Sequence, residues 1–451
     1  MDKSLVTTRT VRWRGLITTL LGERVLTHNL IVAGGTVVAG GLGVAFQSLV
    51  SHRLNPTDYG GVFAVVTLIT FIGLPASGFT LLMARQTSRD LAAGQNAAST
   101  TLLRRGNRVL LVIGTVLGAS LVLAASGFAA LLNVPIQLLF AAAVGLPFAL
   151  ALPLTLGAFQ GEQRFVMFSA LSIGQAGLKL IGALVLGFFW GPAGIIAGIS
   201  LASGVVYLIA LVVLRHNVTS DPVSDWWRPA IAYLTVVIPS ALALAVLLSA
   251  DVLVVKHVFS TQAAGQYASV AAIGRAIFWG ASGVAAVLFP KVIFRSAQGG
   301  GGSHLVSASL VLVAVGGACG LLLLSMSSTW LLTAFSGSAY STGASYLPWY
   351  SVGMTLLGGV AVLIATHQSR DTRGFLAVLL PLTVLEPVAL ALLAPHLNLT
   401  QVVQVVDACM ALVLFGLGAL YVIQERSATI AGEPIRGTSS TPVAAQMGAN
   451  R

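Results

Sequence analysis

Long apolar stretches, separated by short polar segments, recur along the whole chain. Each stretch has about 20 residues or more, which is the length that an α-helix needs to cross roughly 30 Å of hydrocarbon. A bilayer offers no water to a bare backbone, so such stretches fold as closed helices. The pattern predicts membrane-spanning helices over residues 29–51, 60–83, 109–132, 136–159, 165–189, 191–214, 229–255, 263–289, 305–326, 346–366, 374–394 and 402–423.

The composition is that of a membrane protein and excludes a soluble one. Of the 451 residues, 56% are hydrophobic and 8% are charged, whereas roughly a quarter of the residues in a soluble domain are charged. The net charge of +11 would suggest nucleic-acid binding in a soluble protein, but no basic patch interleaves with aromatic residues, so no nucleic-acid partner is expected.

Cys319 and Cys409 lie inside apolar stretches. No cofactor and no metal site is expected.

The basic residues predict the orientation in the membrane. If the N-terminus is cytoplasmic, most Lys and Arg residues fall in cytoplasmic segments, as the positive-inside rule requires. Of the 24 Lys and Arg residues, only Arg53 and Lys256 would then lie on the outer side, and only Lys179 and Arg275 lie within spans. The excess of Arg over Lys suggests a bacterial source. We therefore expect a multi-pass protein of the bacterial cytoplasmic membrane with both termini in the cytoplasm.

An internal repeat divides the predicted helices into two sets. Residues 47–69 align without gaps onto residues 251–273, so the end of helix one and the start of helix two match the end of helix seven and the start of helix eight. The fold class predicted is all-α integral membrane, with about twelve helices in two pseudo-symmetric six-helix lobes around a central cavity. The identical pairs are Leu49/Leu253, Val50/Val254, Thr57/Thr261, Gly61/Gly265, Ala64/Ala268, Val66/Val270 and Ile69/Ile273.

The domain organisation predicted from this division has five parts. They are a cytoplasmic amphipathic segment (1–28), an N-lobe (29–214), a cytoplasmic linker (215–228), a C-lobe (229–423) and a disordered cytoplasmic tail (424–451). A cleavable signal peptide is the alternative for the first part, but its apolar core would be short and no small-residue cleavage site follows it. The Ser/Thr/Ala/Gly-rich composition of the tail favours disorder.

Short motifs after the first helix of each lobe resemble those of oligosaccharide flippases. The stretch Leu54–Phe63 (LNPTDYGGVF) and its counterpart Ala264–Ala268 (AGQYA), preceded by Asp251, are similar to the first-loop pattern of the polysaccharide-transport, Wzx-like branch of the multidrug/oligosaccharidyl-lipid/polysaccharide (MOP) exporter superfamily. The resemblance covers most of the chain in topology. It implies that a polyprenyl-pyrophosphate-linked oligosaccharide is moved from the inner to the outer leaflet by alternating access, for polysaccharide and cell-envelope biosynthesis. Membrane lipids and other polysaccharide-assembly membrane proteins are the further partners implied.

Ionisable residues inside the predicted spans are the candidate binding residues. Each costs on the order of 3 kcal/mol to insert, so such residues face a partner or a wet cavity. Lys179, in helix five, and Arg275, in helix eight, would suit an anionic pyrophosphate headgroup. The resemblance strengthens Arg275 further, because helices one, two, seven and eight line the cavity in that family. The alternative is that the two cations pair with intramembrane acids, and Glu386 is the obvious partner.

Further charged residues are candidates for ion coupling, gating or substrate binding. Glu386 could bind a coupling proton or sodium ion, and Asp251 is either a gating or ion-coupling residue or an interfacial partner of Lys256. Arg53 and Lys256 occupy equivalent positions at the outer ends of helices one and seven. They are expected either to reach lipid phosphates or to form a cationic outer mouth that receives pyrophosphate. Asp407 is expected to be solvated.

Aromatic residues near the ends of the predicted spans favour an aromatic belt at the membrane interfaces over a sugar-binding platform. The residues concerned are Tyr207, Trp190, Trp226, Trp227, Trp330, Trp349 and Tyr350.

Other functional classes fit the sequence less well. An enzyme is not expected, because the outer loops are short and poor in carboxylates. A major-facilitator transporter is disfavoured, because the loop after helix two lacks the glycine- and arginine-rich signature of that family. A cation-coupled multidrug antiporter of the MOP superfamily stays open, although no acid lies inside a span of the first lobe. A peptidoglycan lipid-precursor flippase and a scaffolding role in cell-wall synthesis also stay open.

Overall fold

The chain is helical throughout the part that the computed structural model describes, which comprises residues 23–92, 97–214, 227–297, 303–369 and 373–431, and this part contains no strand. Two short 3-10 turns, Ser338–Ser345 and Ala394–His396, join helices of its second half. The helices are α1 (Glu23–Arg53), α2 (Pro56–Ala92), α3 (Ala97–Leu123), α4 (Ala125–Leu132), α5 (Ile136–Gly161), α6 (Phe165–Leu214), α7 (Trp227–Val258), α8 (Thr261–Ala297), α9 (Ser303–Ser336), α10 (Leu347–Ser369), α11 (Leu376–Leu393) and α12 (Leu399–Ala431).

The described helices provide the number of membrane crossings that the sequence predicts. Ten of them are long and apolar enough to cross a membrane. One of the ten, α6, has 50 residues and supplies two crossings. Helix α8 is outside the ten but has 37 residues, which is ample length at 1.5 Å per residue. The second crossing of α6 and the crossing of α8 bring the total to twelve, so the all-α fold class is confirmed.

Helix α6 is a hairpin of two closely packed arms. Gly191 has φ 58° and ψ −141°, a conformation that residues with a Cβ rarely adopt, and a proline follows it, so the helix breaks there. Small residues then let the arms touch, since a Cβ on Gly182 would lie 3.1 Å from the Cα of Gly198. The arms correspond to the spans predicted over 165–189 and 191–214.

The first of two compact units consists of the described parts of Met1–Gln47, Phe79–Leu121 and Ala141–Trp227. Its helices approach one another at small residues: a Cβ on Gly118 of α3 would lie 2.7 Å from the Ala143 carbonyl oxygen of α5. The hydroxyl of Ser200 in α6 donates to the Ala141 carbonyl of α5 at 2.7 Å. Packing through small residues and interhelical hydrogen bonds is typical of membrane helices.

The second compact unit consists of the described parts of Ser48–Gly78, Val122–Phe140 and Arg228–Arg451. Helix α10 lies at its centre and contacts α8, α9 and α12. The corner where α1 turns into α2 belongs to this unit, so its bounds differ from those of the predicted C-lobe. The division into lobes at 29–214 and 229–423 stays a prediction.

The internal repeat is visible in the helix bounds. Helices α2 and α8 both have 37 residues, and two residues separate each of them from the preceding helix. Their first turns meet at glycines, because a Cβ on Gly60 would lie 2.9 Å from the Cα of Gly265. The equal lengths and equal connections agree with the repeat that the sequence alignment identifies.

The span predicted over 109–132 is divided between α3 (Ala97–Leu123) and α4 (Ala125–Leu132), and two predicted domain boundaries change as well. Helix α1 begins at Glu23 instead of residue 29, and α12 continues to Ala431, so the first residues of the tail predicted as disordered over 424–451 are helical. Hydropathy ends a span at the first charged residues, but Glu, Gln and Arg are good helix formers and extend both helices. Most of the segment 1–28, most of the linker 215–228 and the rest of the tail lie outside the described residues.

Candidate functional site

An ion pair is buried inside the second unit. Asp251 of α7 and Arg275 of α8 lie with Oδ1 and Nη2 3.6 Å apart, and their exposed fractions are 1% and 8%. Tyr267 and Tyr350 each donate a phenolic O–H to Asp251 Oδ2 at 2.9 Å. Charge-assisted hydrogen bonds of this kind are stronger than neutral ones. The Asp251 carboxylate is therefore held by residues from both α8 and α10.

The guanidinium of Arg275 is also engaged by other protein groups. Its Nη1 donates to Thr67 Oγ1 at 3.3 Å, and its Nη2 donates to the carbonyl of Leu248. The Phe63 ring centroid lies 5.1 Å from the Arg275 Cζ, within the range of a cation–π contact. In this conformation, Arg275 would have to exchange these partners before it could bind a phosphate.

Glu386 of α11 lies in the same unit and is fully buried. Neither of its carboxyl oxygens has a hydrogen-bond partner among the described residues. The charged groups that interact with it electrostatically are Asp251 and Arg275. The expectation that Glu386 is the ion-pair partner of Arg275 is wrong, since that partner is Asp251. Helices α7 and α8 form a tight hairpin, and this brings the end of α7 beside Arg275.

Lys179 lies in the first unit, near the middle of the first arm of α6, and is partly exposed. Its Nζ lies 4.1 Å from the ring centroid of Phe46 in α1. Neither of the two ion pairs in the described part of the chain involves Lys179. A cation over an aromatic face gains about 0.5–2 kcal/mol and keeps its three N–H donors available for oxygen acceptors.

The two cations predicted for the outer ends of helices one and seven differ in environment. Arg53 is exposed, whereas Lys256 is 1% exposed and its Nζ has no hydrogen-bond partner among the described residues. In this conformation the Lys256 side chain lies on a packed face of α7, so contact with lipid phosphates or with substrate at an outer mouth would require a conformation that uncovers it. The pairing expected between Lys256 and Asp251 is wrong, because the ion-pair partner of Asp251 is Arg275.

Tyr340 ties the corner between α1 and α2 to the turn between α9 and α10. Its phenolic O–H donates to the carbonyls of Ser51 at 3.2 Å and Leu54 at 2.9 Å. The Tyr59 ring packs edge-on against it, with centroids 5.6 Å apart. Burial, with a further contribution from Asp58, raises the pKa of Tyr340 above its ordinary value. The phenol therefore stays protonated, and a hydrogen-bond donor, at neutral pH.

The exposure expected for three residues is wrong. Tyr350 is buried against Asp251 and does not belong to an aromatic belt, and Tyr207 is buried as well. The carboxyl oxygens of Asp407 are buried against Gly353 of α10, so Asp407 is not solvated. A sequence shows the depth of a residue in a span but not the helix face it occupies. The belt expectation agrees with the exposure of Trp190, Trp330 and Trp349.

Tyr267 and Tyr350 are the site residues that sequence reasoning missed. For Tyr267 a signal existed, because the repeat pairs it with Phe63, and both aromatic residues prove to lie at the Asp251–Arg275 pair. For Tyr350 the chain offers no such signal, since its partner Asp251 is 99 residues away in sequence.

The fold is shared with solved transporters and a flippase. The chain is similar to a multidrug resistance MATE family transporter of the MOP superfamily in an inward-facing conformation, with a TM-score of 0.70 and 13% identity over 88% of this chain and 96% of that chain. It is similar to the eukaryotic MATE transporter AtDTX14, with a TM-score of 0.68 and 13% identity over 91% and 99%. It is also similar to the lipid II flippase MurJ in an inward closed conformation, with a TM-score of 0.68 and 10% identity over 88% and 87%.

No family model and no curated protein matches the chain. At 10–13% identity the likeness to solved structures is one of fold. The chain is thus a multi-pass membrane protein with a fold like that of the MATE transporters and of MurJ, and its substrate has to be argued from its own residues.

Proposed function

We propose that the chain is a flippase, which moves a polyprenyl-pyrophosphate-linked oligosaccharide from the inner to the outer leaflet of the bacterial cytoplasmic membrane by alternating access. The observation that carries the proposal is the state of Lys179, a partly exposed cation at mid-span without an acidic partner in the described part of the chain. The fold is compatible with multidrug transport and with lipid flipping. The positive charge of Lys179 favours an anionic lipid headgroup over an organic cation as the substrate.

The energetic argument rests on the cost of a charge at that depth. An ammonium group in the middle of a span costs on the order of 3 kcal/mol on insertion scales. The Phe46 ring, 4.1 Å away, offsets part of that cost but accepts no conventional hydrogen bond. A pyrophosphate headgroup would supply several charged oxygen acceptors to the three N–H donors. An organic cation at the same place would be repelled.

The two acids of the first unit whose side chains the structure describes, Asp90 and Glu162, do not offer an alternative site for a cation. Asp90 accepts a hydrogen bond from the backbone N–H of Ser99 at 2.6 Å and from Gln86 at 2.8 Å. Glu162 forms an ion pair with Arg164 at 3.3 Å. Both acids lie near helix ends and are engaged locally. The multidrug antiporter is kept as a second candidate because Glu386, in the second unit, is an acid without a hydrogen-bond partner among the described residues.

Three further cations have supporting roles in the proposal. Arg53 is exposed at the end of α1, where it would contact the headgroup. Arg275 would bind substrate after release from Asp251, and Lys256 would bind it only in a conformation that uncovers it.

The expected placement of both termini in the cytoplasm is supported by the charge bias between the two sides. A role in polysaccharide and cell-envelope biosynthesis, alongside other membrane proteins of that pathway, belongs to the same proposal.

Native mass spectrometry of the purified full chain tests the substrate class. A competing panel contains a polyprenyl-pyrophosphate saccharide, bare polyprenyl phosphate, an anionic phospholipid, lipid II and an organic cation. We expect selective retention of the polyprenyl-pyrophosphate saccharide, which Lys179→Gln weakens and Lys179→Arg preserves. Preference for the organic cation, relieved by low pH or sodium, would favour the antiporter, and preference for lipid II would favour a peptidoglycan-precursor flippase.

A further inference from the structure

A groove in the second unit lies between α2, α4, α7, α11 and the turn that follows α11. Its volume of about 380 Å³ is within the range of ligand pockets in proteins. Of the ten described residues that line it, nine are apolar and the tenth is His257. Leu132 is buried and forms part of the floor, whereas Phe128 and Leu131 are exposed at the rim. The groove is therefore open on one side, which faces lipid in a membrane.

The groove extends along the direction of the helices. At one end it is lined by Pro395, which follows α11, and by Val258, the last residue of α7. At the other end it is lined by Leu68, about three helical turns inside α2. The predicted topology places the start of α2 and the ends of α4, α7 and α11 on the outer side of the membrane. A groove of this orientation is aligned with the lipid chains of the outer leaflet.

His257 is the polar residue at the rim. Its Nδ1 donates to the carbonyl of Leu131 at 2.7 Å, which joins the last turn of α7 to the last turn of α4. Its side chain is exposed, and the second ring nitrogen, Nε2, can bond to a headgroup oxygen when it is protonated. The preceding residue, Lys256, is 1% exposed. The end of α7 thus presents a cation on its packed side and an apolar groove on its exposed side.

We propose that this groove binds the isoprenoid tail of a lipid-linked substrate whose pyrophosphate headgroup lies at the end of α7. The inference rests on the proposed function, in which Lys256 binds the headgroup in a conformation that uncovers it. The charges of the two partners are complementary there, because pyrophosphate is anionic and Lys256 is cationic. The next residue, His257, begins the apolar path for the tail.

An isoprenoid tail fits the groove better than a phospholipid does. The apolar lining offers van der Waals contacts and no polar partner below the rim, which suits a hydrocarbon chain. A groove of about 380 Å³ holds part of one chain. A polyprenyl lipid has one chain, whereas a phospholipid has two and would leave one outside.

Photocrosslinking of the full chain in lipid nanodiscs tests the groove. One probe is a polyprenyl pyrophosphate with a diazirine in its tail, and the other is a phospholipid with the same diazirine in one acyl chain. Mass spectrometry of peptides locates the adducts. We expect the polyprenyl probe to label the groove residues of α4, α7 and α11 in preference to other lipid-facing positions. Equal labelling of the groove by the two probes, or no labelling of it by the polyprenyl probe, would overturn the proposal.

Two adjacent positions of α11 supply matched variants. Ala391 lines the groove and Leu392 is not among the described residues that line it, and both are exposed. Ala391→Trp fills the groove, so loss of groove labelling is expected. Leu392→Trp places the same ring at nearly the same depth and is expected to retain the labelling. Because both side chains are exposed, neither substitution overpacks a core. Retained labelling in Ala391→Trp would contradict a tail site in this groove.

The flipping assay separates this inference from the proposed function. Flipping that depends on Lys179 in a chain whose groove is not labelled would overturn the tail site alone. Preferential groove labelling by the polyprenyl probe in a chain that does not flip the lipid would support the tail site and count against the proposed function.

Discussion

The ammonium of Lys179 lies over the ring of Phe46, 4.1 Å from its centroid, and a second contact joins the same two helices. The hydroxyl of Ser169, near the start of α6, donates to the carbonyl of Ile31 in α1 at 3.2 Å. Residue numbers rise together along α1 and α6 between the two contacts, so the two helices run in the same direction. This agrees with the predicted topology, in which helices one and five both cross outward.

The buried pair of Asp251 and Arg275 is predicted to be strongly coupled. Asp251→Ala leaves a buried guanidinium uncompensated, and a loss of about 3–5 kcal/mol is expected for breaking such a pair. Arg275→Ala is expected to cost a similar amount, and the double variant is expected to recover part of the sum. Unfolding of the two single variants and the double variant, analysed as a double-mutant cycle, measures the coupling. Additive losses would show that the two side chains do not stabilise each other.

The contact between the first turns of α2 and α8 is predicted to require glycine. A Cβ on Gly265 would overlap the carbonyl group of Pro56, so Gly265→Ala is expected to cost about 1–3 kcal/mol through overpacking. A Cβ on Gly280 of the same helix would have no neighbouring atom within 4 Å, and Gly280→Ala is expected to be neutral or stabilising by up to about 1 kcal/mol. Thermal melting of both variants in detergent checks the contrast. Equal melting temperatures for the two would exclude a tight crossing at Gly265.

Tyr340 is predicted to stabilise the corner between α1 and α2 in a pH-dependent manner. Tyr340→Phe removes hydrogen bonds worth about 1 kcal/mol each. Because the pKa of the folded-state phenol is raised, its contribution is present below the ordinary tyrosine pKa of about 10 and is lost as the pH rises through the folded-state pKa. The measurement is the difference in melting temperature between wild type and Tyr340→Phe from about pH 7 to 11. A difference that grows with pH would contradict this sign.

The fold could be predicted from the sequence because its determinants are local. Apolar stretches of sufficient length give the spans, including the two predicted over 165–189 and 191–214 that form the arms of α6. The helix ends were misplaced at Glu23 and Ala431, because hydropathy records the hydrocarbon boundary while the helical backbone extends beyond it.

The site could be predicted only in part. Inserting charge is costly, so Lys179, Arg275, Asp251 and Glu386 stand out in the sequence by their depth alone. Their partners do not stand out, because pairing depends on which face of each helix is presented and on long-range contacts. Asp251 illustrates this limit, since its partner is Arg275 from the next helix and not the nearby Lys256.

The central claim is that Lys179 binds the anionic headgroup of a lipid-linked substrate. The most direct measurement is flipping of a fluorescent polyprenyl-pyrophosphate saccharide in proteoliposomes that contain wild type, Lys179→Arg or Lys179→Gln at matched amounts of folded protein. We predict that Lys179→Gln lowers the initial rate about tenfold or more, equivalent to ~1.4 kcal/mol of activation free energy, while Lys179→Arg keeps most of the rate. Equal flipping by wild type and Lys179→Gln would contradict the claim, as would transport of an organic cation with no flipping of the lipid.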